Sequence, residues 1–246
     1  MNIKSQIPNF FTLSNLLCGA VAVFLVSQNE LAIAAGLILL AAVFDFIDGF
    51  AARLLGVAND LGKQLDSLAD LISFGLAPAF IAVHLAGGFE GDFSILAFTP
   101  LLMAPFAAYR LGKFNIDDRQ TDTFLGLPTP ANALFWLSFP LILEFSGTGG
   151  DFLGEAYSAF LNSAAGIALA SLAACLLMVS EIPMISLKFK SLKWKGNQSR
   201  IALIVIAVVF FSIFRVRALP IILLLYILLS IAESLITKDN GIQGRN

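Results

Sequence analysis

Residues 45–70 read DFIDGFAARLLGVANDLGKQLDSLAD, with Asp60 in a central turn and four further aspartates set against two runs that carry no charge, LAIAAGLILLAAVF at 31–44 and LISFGLAPAFIAV at 71–83. With its acidic end, each run is long enough for a helix that crosses a hydrocarbon core of about 30 Å. A charge at the centre of such a helix costs roughly 2.5–3.5 kcal/mol on insertion scales, so these acids must face a partner rather than lipid. Asp45 and Asp48 are spaced i,i+3, and Asp66 and Asp70 i,i+4, so each pair occupies one face of its helix. The turn GVAND at 56–60 joins the two helices. Counted outward from that turn, Asp48 and Asp66 are level, as are Asp45 and Asp70, roughly 10–16 Å deep at helical rise.

Composition sets the class around this hairpin. Hydrophobic residues make up 58% of the 246-residue chain and charged residues 13%, and the mean hydropathy is +0.87. A soluble domain carries about 25% charge, so the pattern is that of an integral membrane protein. Net charge is −2, and no nucleic-acid partner is expected. Cys18 and Cys175 both lie in apolar runs and give no sign of a disulfide framework. The opening MNIKSQIPNFF lacks a cleavable-signal pattern, so the first apolar segment is expected to remain as a helix.

The spacing of apolar runs predicts an all-α, polytopic bundle in a single membrane domain over 1–246. About eight transmembrane helices fall near 10–28, 31–55, 61–86, 94–112, 130–146, 157–180, 201–215 and 218–236. The catalytic core is expected over about 5–190, with the last two helices beyond it. With both termini cytoplasmic, 13 of the 15 Lys and Arg residues fall on the cytoplasmic side, among them Arg119, Lys188, Lys190, Lys193, Lys195, Lys238 and Arg245. Only Arg215 and Arg217 fall outside, and the predicted outer loops GGFEGDF and SGTGGDFLGEA carry only acids. The acid-bearing hairpin then turns toward the cytosol.

Four facing carboxylates cannot all ionise without cations among them. Oxygen-only ligands on rigid helices suit a hard divalent ion, Mg²⁺ or Mn²⁺, and four acids could hold two ions, an arrangement that clamps a phosphate during displacement. Gly49 and Gly62 leave room for a ligand beside the acids, and Arg53 can reach a phosphate oxygen. A lone Asp in this setting would read as a snorkelling or ion-paired residue. Four at matched depth, with little positive charge nearby besides Arg53 and Lys63, point to a ligand site.

The same residues carry a resemblance. Asp45, Asp48, Gly49, Ala52, Arg53, Gly62, Asp66 and Asp70 fit D-x-x-D-G-x-x-A-R-x(8)-G-x-x-x-D-x-x-x-D without deviation, and Pro8, Asn9 and Thr12 fit an upstream PNxxT. The chain thus resembles the CDP-alcohol phosphatidyltransferase family. The resemblance implies cleavage of a CDP-linked lipid, with an alcohol attacking the lipid-bearing phosphate and CMP leaving. It implies metal ligation by Asp45, Asp48, Asp66 and Asp70, with Asp70 also the general base. It further implies nucleotide contacts from Asn9, Thr12, Gly49, Arg53 and Asn59, beside Gly62, in a prokaryotic-type inner or plasma membrane with the active site facing the cytoplasm. Homodimers occur in the family.

The core motif does not select the alcohol. IPNFFTLSNLLCG at 7–19, SFGLAPA at 73–79, YRLGKFN at 109–115 and GLPTPANA at 126–133 are together similar to the membrane-type phosphatidylserine synthases, which implies CDP-diacylglycerol and L-serine as substrates within membrane lipid. Gly112 and Lys113 depart from the usual R-L-A-R-F-N. Arg110, Lys113 and Asn115 could take a phosphate or the serine carboxylate, and Ser73, one turn from Asp70, could donate a hydrogen bond into the cavity. Positive-inside topology explains Lys113 equally well, and a membrane serine more often bonds its own backbone. Alternatives are another acceptor, glycerol 3-phosphate or inositol, and a cation transporter. A transporter would need polar groups along both halves of the membrane, and none lie at 31–44 or 75–83. His84 is expected at the far interface, and KFKSLKWK at 188–195 at anionic headgroups.

Overall fold

The computed structural model describes residues 3–57, 59–89, 94–117, 124–185 and 197–243. Arg119, Arg245 and the basic loop from Lys188 to Lys195, all assigned above by charge, lie outside the described residues, as does the side chain of Lys238. Helix α1 (Ile3–Ser27) and α2 (Leu31–Leu55) form the first hairpin. Asn59 then caps α3 (Asp60–Asp70), its side chain accepting from Gly62 N–H at 2.8 Å. This helix runs through a π-helical stretch, Leu71–Leu76, into α4 (Ala77–Leu85). Next come α5 (Ile95–Phe98), a 3₁₀ turn and α6 (Met103–Ile116), then α7 (Thr129–Phe145), α8 (Phe152–Leu161) and α9 (Ala164–Val179). Finally α10 (Gln198–Phe214) and α11 (Ala218–Gln243) flank a 3₁₀ turn at Arg215–Arg217.

The π stretch has a local cause. Pro78 has no N–H to donate, and its ring excludes the normal contact with the carbonyl four residues back. The preceding turn widens, and Ala77 N–H reaches Ile72 O, five residues away. This wide turn begins directly after Asp70. Small residues let neighbouring helices approach it: a Cβ on Gly19 of α1 would stand 2.7 Å from Ser73 Cα, and one on Gly75 would stand 3.0 Å from Ala107 Cβ of α6.

Two apolar clusters fill the interior. One joins α1, α2, the π stretch, α4 and α7 through Ala22, Val26, Ile38, Phe74, Ile81 and Leu137. The other joins α6, α7 and α9 through Met103, Trp136, Phe139, Ile167 and Met178. Large side chains such as Phe10, Phe46 and Leu54 are exposed on the outer faces, as lipid contact requires.

The helices stand where hydropathy predicted them, with three differences. Helix α1 starts at Ile3 and carries Pro8 inside it. The sixth segment is broken: Ser163 caps a new helix by accepting from Gly166 N–H at 3.0 Å, so α8 and α9 meet at 88°. A short antiparallel ladder pairs Phe124 with Met184 and Leu125 with Pro183. Among the described residues, five helices are long and apolar enough to cross a membrane, or six if α8 and α9 form one bent span. The expected eight also takes the 17-residue α7 as a span and α10 and α11 as two. Arg217 donates to Asp151 at 2.8 Å and to the carbonyl of Ser146 at 2.7 Å, which puts one of the two outlying arginines against the predicted outer loop. At His84, Nε2 lies 2.8 Å from Asn29 Oδ1, beside the α1–α2 turn.

Candidate active site

The α2–α3 hairpin brings the aspartates together. One carboxylate oxygen from each of Asp45, Asp48 and Asp66 lies within 4.8 Å of the others. Asp70 follows Asp66 by one turn of α3 and lines the same cavity as Asp66. Asp48 and Asp70 are buried, and Asp66 Oδ1 is buried without a partner. Helix α1 supports the cluster through one face, Asn9, Thr12 and Asn15, all buried. Thr12 Oγ1 donates to Asp48 Oδ2 at 2.6 Å, and Asn15 Nδ2 donates to Asp70 Oδ1 at 3.3 Å. A hard divalent cation fits this group: the donors are all carboxylate oxygens, and the unpartnered Asp66 oxygen lacks only a cation.

Two cavities meet at the acids. The smaller, about 440 Å³, is lined by Asn9, Thr12, Asp48, Gly49, Asn59 and Gly62, six residues that the sequence assigned to nucleotide or metal binding. Arg53 is not among its lining residues; its guanidinium folds back along α2, where it would stand 3.4 Å from a Cβ on Gly49. The larger cavity, about 720 Å³, opens on Asp70, Arg110 and Asn115. Its far wall is apolar and comes partly from Leu203 of α10 and Ile222 of α11. Lys63 and Asp66 line both cavities. Lys63 Nζ donates to Asn115 O, and Asn115 Nδ2 donates to Ser67 Oγ, each at 2.7 Å.

Two candidates stand elsewhere. Ser73 is fully buried, donates to Asn15 O at 2.9 Å and lines neither cavity. Lys113 pairs with Glu181 at 3.2 Å and lines neither cavity. Conversely, Asn15, Ser67, Thr129 and Tyr226 belong to the site without having been singled out. Asn15 was the most findable, since it repeats the polar face of Asn9 and Thr12 in an apolar helix.

Known proteins are similar to this chain in sequence. The family model described as CDP-alcohol phosphatidyltransferase matches residues 5–172. A Bacillus subtilis protein named CDP-diacylglycerol--serine O-phosphatidyltransferase is 35% identical over 154 residues, covering 61% of this chain and 86% of its own. A Helicobacter pylori protein of the same name is 36% identical over 129 residues, covering 52% and 54%. One from Methanocaldococcus jannaschii, again of that name, is 35% identical over 133 residues, covering 54% and 59%. The chain therefore spans most of the Bacillus relative and little more than half of the other two.

Proposed function

Because the chain belongs to the CDP-alcohol phosphatidyltransferase family, we propose that it transfers the phosphatidyl group of CDP-diacylglycerol to the hydroxyl of L-serine, releasing CMP. The observation that carries this reading is the junction of two cavities at one acid cluster, with Asp66 and Lys63 lining both. A nucleotide in the smaller cavity and an acceptor in the larger would meet at the aspartates. The names of the bacterial and archaeal relatives support serine as that acceptor.

Asp45, Asp48 and Asp66 would hold Mg²⁺ or Mn²⁺, and a second ion would draw on Asp70, one turn on from Asp66. Bound metal would supply positive charge against the pyrophosphate. The chain's own groups do the rest. Thr12 and Asn15 hold Asp48 and Asp70 in place through their hydrogen bonds. Gly49 and Gly62 leave the nucleotide cavity open, and Arg53, folded along α2 beside Gly49, would swing out to meet a phosphate oxygen. Asp70, in the acceptor cavity, takes the proton from the serine hydroxyl. The serine oxygen bonds to the lipid-bearing phosphorus, the bridging P–O bond breaks, and CMP carries away the electron pair. The diacylglycerol tails would lie in the bilayer, and the excess of Lys and Arg in the sequence on the hairpin's side supports a reaction at the cytoplasmic surface.

The test offers purified protein CDP-diacylglycerol with serine, glycerol 3-phosphate or inositol in parallel and measures CMP release. Serine-dependent release that stops in EDTA and returns with Mg²⁺ or Mn²⁺ is expected. Release with another alcohol but none with serine refutes the acceptor, and full activity in excess EDTA refutes the metal.

A further inference from the structure

The acceptor cavity contains polar groups to which the reaction above gives no task. Thr129, the first residue of α7, lines it at 1% exposure, and its hydroxyl has no partner. Arg110, on α6, lines it at 8% exposure, and its Nε is also unpartnered. Tyr226, on α11, is a third lining residue, and Asp70 lines the same cavity. Buried groups of this kind are normally satisfied, so two in one cavity point to a ligand that completes them. Thr129 is also firmly placed. Gly126 turns at φ +74, and the N–H groups of Gly126 and Leu127 donate to Ile182 O and Leu177 O, both at 2.9 Å.

The charge of the cavity narrows the ligand. Arg110 is its buried cation among the described residues. Lys63 is engaged with Asn115 O, and Lys113 is drawn away to Glu181. Asp66 and Asp70 supply negative charge at the other side. One buried guanidinium balances one carboxylate, whereas a phosphate monoester dianion would keep an uncompensated charge in a low-dielectric site. A zwitterion with its carboxylate at Arg110 and its ammonium toward the hydroxyl and carboxylate oxygens matches both sides.

We infer that Thr129 and Tyr226 are specificity residues that complete an α-amino-acid site around Arg110. The Tyr226 hydroxyl donates to the same carboxylate as Arg110, and Thr129 Oγ1 accepts from the ammonium. The inference rests on serine being the acceptor. It also assigns a task to α11, which lies beyond the matched segment 5–172: this helix supplies part of acceptor choice rather than of the shared phosphotransfer chemistry.

The test compares wild type with Tyr226→Phe, Thr129→Val and Thr129→Ser, varying serine at saturating CDP-diacylglycerol and then the converse. Tyr226→Phe and Thr129→Val should each raise the KM for serine about tenfold, the loss expected for a hydrogen bond to a charged group. The KM for CDP-diacylglycerol should stay within twofold, and Thr129→Ser should restore the wild-type serine KM. An unchanged serine KM in both variants overturns the inference, and so does a parallel rise in both KM values, which marks a packing role. Wild type that uses another alcohol but not serine overturns the reading beneath it, a result visible before any variant is made.

Discussion

The Thr12 hydroxyl donates to Asp48 Oδ2 at 2.6 Å, tying the first helix to an acid of the second. A hydrogen bond to a carboxylate contributes about 1.5–3 kcal/mol. Thr12→Val keeps the shape and removes the donor, so kcat/KM for CDP-diacylglycerol should fall by roughly tenfold or more, while Thr12→Ser should stay near wild type. Steady-state CMP release checks both, and a fully active Thr12→Val would show that Asp48 needs no such support.

Helix α1 can lie against the π stretch only because residue 19 is glycine. A Cβ there would meet backbone atoms, 2.7 Å from Ser73 Cα and 2.9 Å from Ser73 N, which cannot rotate away. Gly19→Ala should destabilise the protein by about 1–3 kcal/mol. Thermal melting in detergent reads this as a lower Tm, and an unchanged Tm would mean that the two helices separate without cost.

How far the sequence reaches is clear from such pairs. The α2–α3 hairpin was legible because strong hydropathy and four costly acids leave one arrangement that satisfies both; Leu31–Leu55 and Asp60–Leu85 fall within a residue of the reading. The motifs also picked out Asn9, Thr12, Gly49, Asn59 and Gly62, which line the smaller cavity. What could not be read depends on how helices face one another. Ser73 does meet the same α1 residue as Asp70, Asn15, but the close approach of Gly19 seals it against α1 instead of leaving it in a cavity. Lys113 looked like a ligand because its partner, Glu181, is 68 residues away. Tyr226 joins the cavity through the packing of α11, which no local pattern encodes. The break at Ser163 was visible in principle as a helix cap inside an apolar run.

The Lys113–Glu181 pair is partly exposed on both sides. Such a pair is worth about 0–1 kcal/mol. Lys113→Ala should therefore leave both KM values and kcat within about twofold, whereas Arg110→Ala, which removes a buried cavity cation, should raise the serine KM at least tenfold. Parallel kinetics decide between them, and equal losses would return Lys113 to the acceptor site.

The most direct measurement compares Asp70→Asn with Asp66→Asn for binding and turnover together. Asp66 belongs to the carboxylate triad, and Asp70 lines the larger cavity with it. Asparagine at 70 keeps the shape and one oxygen but removes the basicity. Proton acceptance by a positioned group contributes typically ~10²–10⁴-fold. Asp70→Asn is expected to bind CDP-diacylglycerol within a few-fold of wild type and to lose turnover by at least about a hundredfold, whereas Asp66→Asn should lose binding as well. Equal loss of binding in both variants, or turnover persisting in Asp70→Asn, would contradict the assignment of Asp70 as the base of this active site.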